Sequence, residues 1–247
     1  MRTIPEARPN TRPGAKIWAA APGKAANFDR LAPLYRWMEW FSFGPWLGVA
    51  RRAFLAEVRE ARSALVLGDG DGRYTARLLR TVPGVRVMAV DSSAAMLDAL
   101  LRRAGTEAGR VMAQQADARI WAGTVEGARG APFDLIATHF FLDCLSTAEV
   151  VALAGRLRDF AAPGAVWVVS EFAVPPGWFG RWVARPLVAM LYAAFGVLTG
   201  LEVRRLPDHV SALGASGFVR TRTERFLGGL LVSEMWHLTA GKTVANG

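Results

Sequence analysis

The chain has 247 residues, of which 52% are hydrophobic, so it is long and apolar enough for one α/β domain with a buried core, and general disorder is excluded. The formal net charge is +9, but the basic residues are scattered and form no recognisable nucleic-acid module, which argues against a nucleic-acid partner. A lone cysteine, Cys144, excludes an internal disulfide, and the N-terminus lacks the continuous apolar stretch of a signal peptide, so a cytoplasmic location is expected.

The N-terminal region is predicted to have two parts. Residues 1–26 are rich in proline and glycine with scattered basic residues, and we expect them to form a flexible arm. Residues 27–62 carry a dense group of aromatic side chains, Tyr35 among them. This segment is expected to form either a helical lid over the carboxyl ends of the strands or an ordinary helix that covers the sheet.

The last part of that segment has a helical pattern. Residues 49–62 alternate apolar and charged side chains in a way that predicts one amphipathic helix. Phe54, Leu55 and Val58 form its apolar side, and Arg51 belongs to the side expected to face solvent.

A glycine-rich turn follows the first strand pattern and is the most informative stretch of the chain. The apolar residues 65–67 are followed by Gly68, Gly70 and Gly72, and a helical pattern begins at Arg73. Alternating glycines allow unusual backbone torsions and allow a ligand to lie directly against the main chain. The turn therefore predicts a binding site at the end of a buried strand.

The spacing and charge of this turn narrow the class of ligand. A dinucleotide-binding G-x-G-x-x-G would place its third glycine at position 73, which is an arginine here. Asp69 and Asp71 lie between the glycines and would repel a pyrophosphate. These carboxylates suit a ligand that carries an ammonium or sulfonium charge, and a nicotinamide-dependent oxidoreductase is the less favoured alternative.

Three more strands are predicted after the turn, each followed by a polar residue. Residues 85–90 end at Asp91, and the hydroxyls of Ser92 and Ser93 can cap the next helix. Residues 111–116 form a short strand that ends at Asp117, and residues 133–138 form the fourth strand.

The second half of the core has clear helix and strand signals. Ser146 and Glu149 form a capping box that predicts a helix over residues 147–160. Residues 165–170 are a continuous apolar strand that ends at Glu171.

The C-terminal part, residues 172–247, is predicted to hold an apolar helical insertion and a closing hairpin. Residues 187–201 carry no charge but are too few for a bilayer span, so a buried or interfacial helix is expected. Arginines flank this segment, which predicts either peripheral association with an anionic membrane or a core helix with solvated ends. Strands over residues 217–226 and 230–239 form the hairpin.

The glycine turn resembles motif I of the class I S-adenosylmethionine (SAM) dependent methyltransferases, and the later strands keep the order and spacing of that family over about residues 63–171. The resemblance implies a Rossmann-like, doubly wound sheet of seven strands, mostly parallel, with an antiparallel C-terminal hairpin. It also implies SAM as cofactor and S-adenosylhomocysteine as product. The aromatic segment around Tyr35 is similar to the lid of the methyltransferases of ubiquinone and menaquinone biosynthesis.

The resemblance also implies a set of cofactor contacts. Asp91 corresponds to the acid that binds the ribose hydroxyls, and Asp117 to the acid that faces the adenine amino group. Met96 is either an adenine contact or a core methionine. The residues expected to bind the cofactor are Tyr35, Gly68, Asp69, Gly70, Gly72, Asp91, Ser92, Met96, Asp117, Ala118 and Thr138.

One position departs from the family pattern. The first strand commonly has an acidic residue two places before the first glycine, where this chain has Val66. Asp69 or Asp71 are candidates to replace that charge; otherwise the cofactor binds more weakly. The departure motivates a second hypothesis, a catalytically silent protein of the same fold that serves as a binding or assembly subunit.

Two residues after the fourth strand are candidate catalytic groups, because the family places the transferable methyl there. His139 has a pKa range suited to a base, although it could be a structural histidine. Asp143 is the second candidate, with helix entry as its alternative role. The aromatic and apolar surroundings predict a hydrophobic small-molecule acceptor, and no metal site is predicted because no cluster has metal-ligand spacing.

Overall fold

The structure, a computed structural model, describes residues 16–18, 45–121, 123, 132–199 and 205–239. The strands in these ranges are β1 (Lys16–Trp18), β2 (Ser63–Leu67), β3 (Arg86–Asp91), β4 (Val111–Gln115), β5 (Phe133–His139), β6 (Ala161–Phe172), β7 (Phe218–Phe226) and β8 (Leu231–Leu238). The α-helices are α1 (Trp46–Arg51), α2 (Arg73–Thr81), α3 (Ala94–Ala104), α4 (Thr147–Phe160), α5 (Arg185–Thr199) and α6 (His209–Ala215).

The described strands form one sheet in the order β1-β4-β3-β2-β5-β6-β8-β7. The strands from β1 to β6 pair in parallel, and β8 is antiparallel to both β6 and β7. The predicted seven-stranded Rossmann-like sheet with its closing hairpin is therefore confirmed by β2 to β8. The short β1 adds an edge strand, and it lies within residues 1–26, which we expected to form a flexible arm.

The strand order creates a topological switch point between β2 and β5. From β2 the chain proceeds to β3 and β4 on one side, and it then returns to β5 and β6 on the other. In open α/β sheets the carboxyl edge at such a point is where ligands bind.

Helices cover both faces of the sheet, which explains why β2 is apolar throughout. Ala64 and Val66 pack in the layer that contains α2 and α3, whereas Leu65 and Leu67 pack in the layer that contains α4 and α6. A central parallel strand has no solvent-facing side, so its residues do not alternate with polar ones.

Several helix starts are as predicted, because side chains near in sequence satisfy the first N–H groups. The Ser146 hydroxyl accepts a hydrogen bond from the Glu149 N–H at 3.3 Å, and the Glu149 carboxylate accepts one from the Ser146 N–H at 2.8 Å. This capping box begins α4 at Thr147 as predicted. The Ser93 hydroxyl likewise accepts from the Met96 N–H at the start of α3.

The prediction of one helix over residues 49–62 is wrong. Helix α1 ends at Arg51 and a series of turns follows, although Phe54 and Val58 are buried as the apolar pattern indicated. The Ala50 carbonyl, near the end of α1, accepts hydrogen bonds from the Ser233 hydroxyl at 2.9 Å and the Ser170 hydroxyl at 3.2 Å. This carbonyl therefore bonds to the sheet, which favours ending the regular helix here.

Strand β6 is longer than predicted. It begins at Ala161 rather than at 165, because Ala161 pairs with Phe133 of β5 beyond an irregularity in the register. Tyr35 and the rest of residues 27–44 lie outside the described residues, as do residues 124–131 of the predicted loop. Within the described ranges, none of the helices combines the length and the apolar character that a bilayer span requires.

Candidate functional site

The glycine turn lies at the carboxyl end of β2, beside the switch point, and its first and third glycines are fixed by packing. Gly68 and Gly72 have φ angles of 64° and 80°. A Cβ atom on Gly68 would lie 2.3 Å from the Phe141 ring, and one on Gly72 would lie 2.7 Å from the Cα atom of Leu100. Both positions therefore hold the turn against its neighbours.

The middle glycine borders open space. Gly70 has a φ angle of 58°, and the nearest atom to a Cβ built on it is the Met96 sulfur at 3.9 Å. The left-handed φ favours glycine here, and the open space beside it leaves the main chain accessible to a ligand, which packing at Gly68 and Gly72 does not. Met96 is buried and borders the same space.

The two aspartates of the turn are engaged in structural contacts. The buried Asp69 carboxylate accepts hydrogen bonds from the backbone N–H groups of Thr75 at 2.8 Å and Tyr74 at 3.2 Å, at the start of α2. Burial raises the pKa of Asp69, while these hydrogen bonds oppose the rise. Asp71 forms a 2.6 Å ion pair with Arg103 of α3.

Val66 lies in the core and is only 1% exposed. An acid at this position would be buried in the layer that contains α2 and α3, where a valine packs without a desolvation cost. The two candidates to replace its charge, Asp69 and Asp71, hold the ends of helices instead.

The ends of β3 and β4 bring the next predicted residues to the same edge. The Asp91 carboxylate accepts a hydrogen bond from the Ser93 N–H at 2.9 Å, and the Asp91 carbonyl accepts one from the Ala116 N–H at 3.0 Å. The Gln115 amide donates to the Ser92 carbonyl at 3.1 Å. Asp91 and Ser92 are therefore held in place beside the glycine turn.

Asp117 follows β4 and is bound to Arg119. Its carboxylate contacts the Arg119 guanidinium at 2.6 Å and accepts from the Arg119 N–H at 2.9 Å. Burial acts to raise the pKa of Asp117, but the bonds and charge of Arg119 lower it below its ordinary value. Its carboxylate therefore stays ionised, and a ligand amino group would have to share it with Arg119. The predicted contact Ala118 is buried beside it.

The end of β5 places two predicted residues away from open space. The fully buried Thr138 hydroxyl accepts a hydrogen bond from the Trp167 indole at 3.0 Å. His139 is 3% exposed, its Nδ1 is 2.9 Å from the Ser170 hydroxyl, and its ring lies 4.2 Å from that of Tyr74. Burial, together with the charge of Arg51, lowers the pKa of the His139 imidazole to about 3. An imidazole with this pKa is a weak base near neutral pH.

Arg51 is a residue that the sequence pattern misplaced. We expected it on a solvated helix face, yet it is 8% exposed and its guanidinium lies 5.1 Å from the centre of the Phe140 ring. Phe140 has a φ angle of 55°, which is unusual for a bulky residue and occurs directly after β5. Neither feature has a signal in the local sequence.

Glu171 fixes the loop that follows β5. Its carboxylate, 1% exposed, accepts hydrogen bonds from the N–H groups of Leu142 at 2.9 Å and of Phe141 and Asp143 at 3.3 Å each. Burial raises the pKa of Glu171 well above its ordinary value, and the nearby Asp143 carboxylate raises it further. Glu171 thus positions residues 141–143 at the carboxyl edge.

Asp143, the second predicted catalytic residue, lies in the loop after β5 and differs from His139 in the direction of its pKa shift. Burial raises the pKa of its carboxyl to about 6, although a hydrogen bond from the Cys144 thiol opposes the rise. A carboxyl with this pKa can accept or release a proton near neutral pH. The Tyr192 hydroxyl of α5 donates a hydrogen bond to the Asp143 carbonyl at 2.8 Å. This contact was not predicted from the sequence, although a tyrosine within a mostly apolar helix is a signal for it.

Comparisons with known proteins relate the chain to others through its fold and through one part of its sequence. Residues 65–167 match the family described as methyltransferase domain. No curated protein sequence gives a significant match to the chain.

Solved structures share the fold at low sequence identity. An O-methyltransferase family protein from Burkholderia thailandensis superimposes with a TM-score of 0.62 and 17% identity, over 87% of this chain and 59% of that chain. The human N-acetylserotonin methyltransferase in complex with SAM gives a TM-score of 0.61 and 16% identity, over 86% of this chain and 58% of that chain. The N-methyltransferase NodS from Bradyrhizobium japonicum, in complex with S-adenosylhomocysteine, gives a TM-score of 0.57 and 12% identity, over 78% of this chain and 88% of that chain.

The chain thus spans somewhat less than two thirds of the length of the first two of these proteins. The similarity to all three is a similarity of fold. The chain has the Rossmann-like fold of the methyltransferases, and its residues 65–167 match the methyltransferase domain family.

Proposed function

We propose that this protein binds SAM at the glycine turn and transfers its methyl group to a largely hydrophobic small molecule. The observation that carries the proposal is Gly70, where a Cβ would meet no atom closer than 3.9 Å although its neighbours Gly68 and Gly72 are tightly packed. The match to the methyltransferase domain family, and the SAM and S-adenosylhomocysteine complexes of structures with the same fold, support it.

Different residues at the carboxyl edge would bind different parts of SAM. The main chain at Gly70 lies open for the methionine part, Asp91 ends β3 where its carboxylate can accept from the ribose hydroxyls, and Met96 offers an apolar contact to the adenine. When bound, SAM supplies a methyl group made electrophilic by the sulfonium. The protein then needs only to hold the acceptor in line and to remove a proton where the acceptor requires it.

The acceptor is proposed to be apolar because the loop after β5 is lined by apolar side chains. Phe141 packs on the glycine turn, and α5, a mostly apolar helix, is tied to the same loop through Tyr192. Asp143 is the proposed base. A quinol or phenol, as in the quinone-biosynthesis enzymes that the N-terminal segment resembles, combines an apolar body with an ionisable hydroxyl and fits these features.

A titration tests the proposal directly. Isothermal titration calorimetry should show binding of SAM and S-adenosylhomocysteine, and thermal unfolding should shift upward with either ligand. Transfer of a labelled methyl group to members of a panel of phenols, quinols, amines and thiols would then identify the acceptor. Absence of heat and of a thermal shift with both ligands, on folded protein, would contradict the proposal.

A catalytically silent SAM-fold subunit is the second candidate, and one observation favours it. Asp69 and Asp71, the candidates to replace the acid missing at Val66, are already engaged, because Asp69 accepts from N–H groups at the start of α2 and Asp71 pairs with Arg103. Turnover with any acceptor excludes this candidate, whereas cofactor binding without turnover across the whole panel supports it. A titration with NADH tests the nicotinamide-dependent alternative and is expected to show no binding.

Replacing Asp91 by alanine is expected to weaken SAM binding about 10- to 150-fold. Hydrogen bonds to a charged group contribute roughly 1.5–3 kcal/mol, and each 1.4 kcal/mol is tenfold in affinity. The dissociation constant from calorimetry checks the prediction.

Two variants separate this effect from a general loss of structure. Asp91→Asn keeps an oxygen that can accept from the Ser93 N–H, so it should fold normally and still bind SAM more weakly. Asp159→Ala removes an exposed carboxylate at the end of α4 and should leave the affinity unchanged. Equal affinities of wild type and Asp91→Ala would show that Asp91 does not contact the ligand.

A further inference from the structure

An exposed apolar face remains outside the site described above. Two tryptophans of the helical segment that begins before α5, Trp178 and Trp182, are 72% and 73% exposed, and Met190 on α5 is 60% exposed. These residues, with the exposed Val174 and Val183, are here called the tryptophan face. Large side chains exposed to this extent on one segment are unusual in a protein surrounded only by water.

The same segment has an opposite face that is packed, so the exposure of the tryptophans does not come from a detached segment. Ala184, Val188 and Leu191 are buried in one cluster with Leu47 of α1 and Leu231 of β8. Gly180 lies so close to the Pro175 carbonyl that no side chain would fit between them. The helical segment is therefore fixed on the protein with its tryptophans outward.

The charged residues of the segment that carries the tryptophan face have one sign. Arg181 and Arg185 are both exposed on the same helical segment, next to Trp178 and Trp182 in sequence. Residues 172–201 contain no aspartate or glutamate. Exposed tryptophan beside arginine, without acidic residues, is the composition of helices that lie in the headgroup region of a bilayer.

We infer that the tryptophan face docks on an anionic lipid surface. The indole rings enter the headgroup region, where an amphipathic ring is favoured, and the two guanidinium groups pair with lipid phosphates. The helical segment lies in the plane of the surface and does not cross it, in agreement with the absence of a spanning helix among the described residues.

Vesicle binding by the full chain tests this inference without any measurement of methyl transfer, so it can fail independently of the proposed function. The protein is co-sedimented with vesicles of phosphatidylcholine alone and of phosphatidylcholine with 30% phosphatidylglycerol, at low and at high salt. Binding is expected to the anionic vesicles, and it should fall as salt is raised because salt screens surface charge.

Charge reversal has a matched control on another helix. Arg181→Glu with Arg185→Glu should reduce the partition coefficient on anionic vesicles at least about 30-fold, since each basic side chain contributes about 1 kcal/mol and 1.4 kcal/mol is tenfold. Arg77→Glu with Arg80→Glu makes the same change in net charge at two exposed positions of α2 and should bind nearly as the wild type does.

Loss of the indole rings has a control as well. Trp178→Ser with Trp182→Ser should also reduce binding to anionic vesicles. Ile120→Ser with Val151→Ser removes two other exposed apolar side chains and should leave binding unchanged. Circular dichroism shows whether each variant is folded. The inference is overturned by equal binding to neutral and anionic vesicles or by binding to neither. It is also overturned if analytical ultracentrifugation shows a dimer that is absent only in the double tryptophan variant, because the occupant of the face would then be a second copy of the chain.

Discussion

Replacing Gly72 by alanine is expected to lower the free energy of unfolding by about 3 kcal/mol. The backbone here is left-handed, with φ at 80°, which costs an alanine roughly 1 kcal/mol. A methyl group would lie 2.7 Å from the Cα atom of Leu100, and displacing a packed backbone costs about 2 kcal/mol more. Urea denaturation of the two proteins measures the difference.

Gly70→Ala is the matched control, because this position has the same handedness but open space. Its φ of 58° implies a loss of about 1 kcal/mol of stability. Its affinity for SAM should fall at least about tenfold, since the new methyl group occupies the space where the ligand approaches the main chain. If Gly70→Ala bound SAM as the wild type does, the cofactor would lie elsewhere. A stable Gly72→Ala would mean that α3 can move away from the turn.

Replacing Asp143 by asparagine is expected to stabilise the protein at pH 7 by up to about 3 kcal/mol. Burial raises the pKa of this carboxyl from its ordinary value of 3.8 to about 6, so the folded state holds the proton more tightly than the unfolded state does. Between about pH 4 and pH 6 the folded state binds more protons, and the free energy of unfolding contributed by Asp143 falls as pH rises. An asparagine does not ionise and avoids this loss.

The pH dependence distinguishes this explanation from a general packing effect. Urea denaturation at pH 7 should show the gain, and at pH 4 the two proteins should be nearly equal in stability. Asp159→Asn, a change at an exposed carboxyl, should have no effect at either pH. A gain of the same size at both pH values would show that the Asp143 carboxyl is not destabilised by ionisation.

The stability of Asp143→Asn also bears on function. If the expected gain is measured, a role as a proton-accepting group at the carboxyl edge would explain why an ionisable side chain occupies this buried position. We therefore expect Asp143→Asn to bind SAM normally and to lose methyl transfer to acceptors that must release a proton.

The sequence alone determined the order of the elements and the position of the glycine turn. These features depend on local physics: apolar runs form the buried strands, the Ser146 and Glu149 capping box begins α4, and glycines mark the turn after β2. Each signal lies within a few residues of the structure it specifies, so it can be read without knowing the fold.

Only the tertiary structure decided which polar residues are available for chemistry. Thr138 and His139 end β5, the expected strand, but other elements bury them against Ser170, Tyr74 and Trp167. Burial by distant segments lowers the pKa of the His139 imidazole to about 3 and raises the pKa of the Asp143 carboxyl to about 6. The first change makes His139 a weaker base, and the second makes Asp143 a stronger one. Desolvation depends on what surrounds a group in space, and the neighbours in sequence do not specify it.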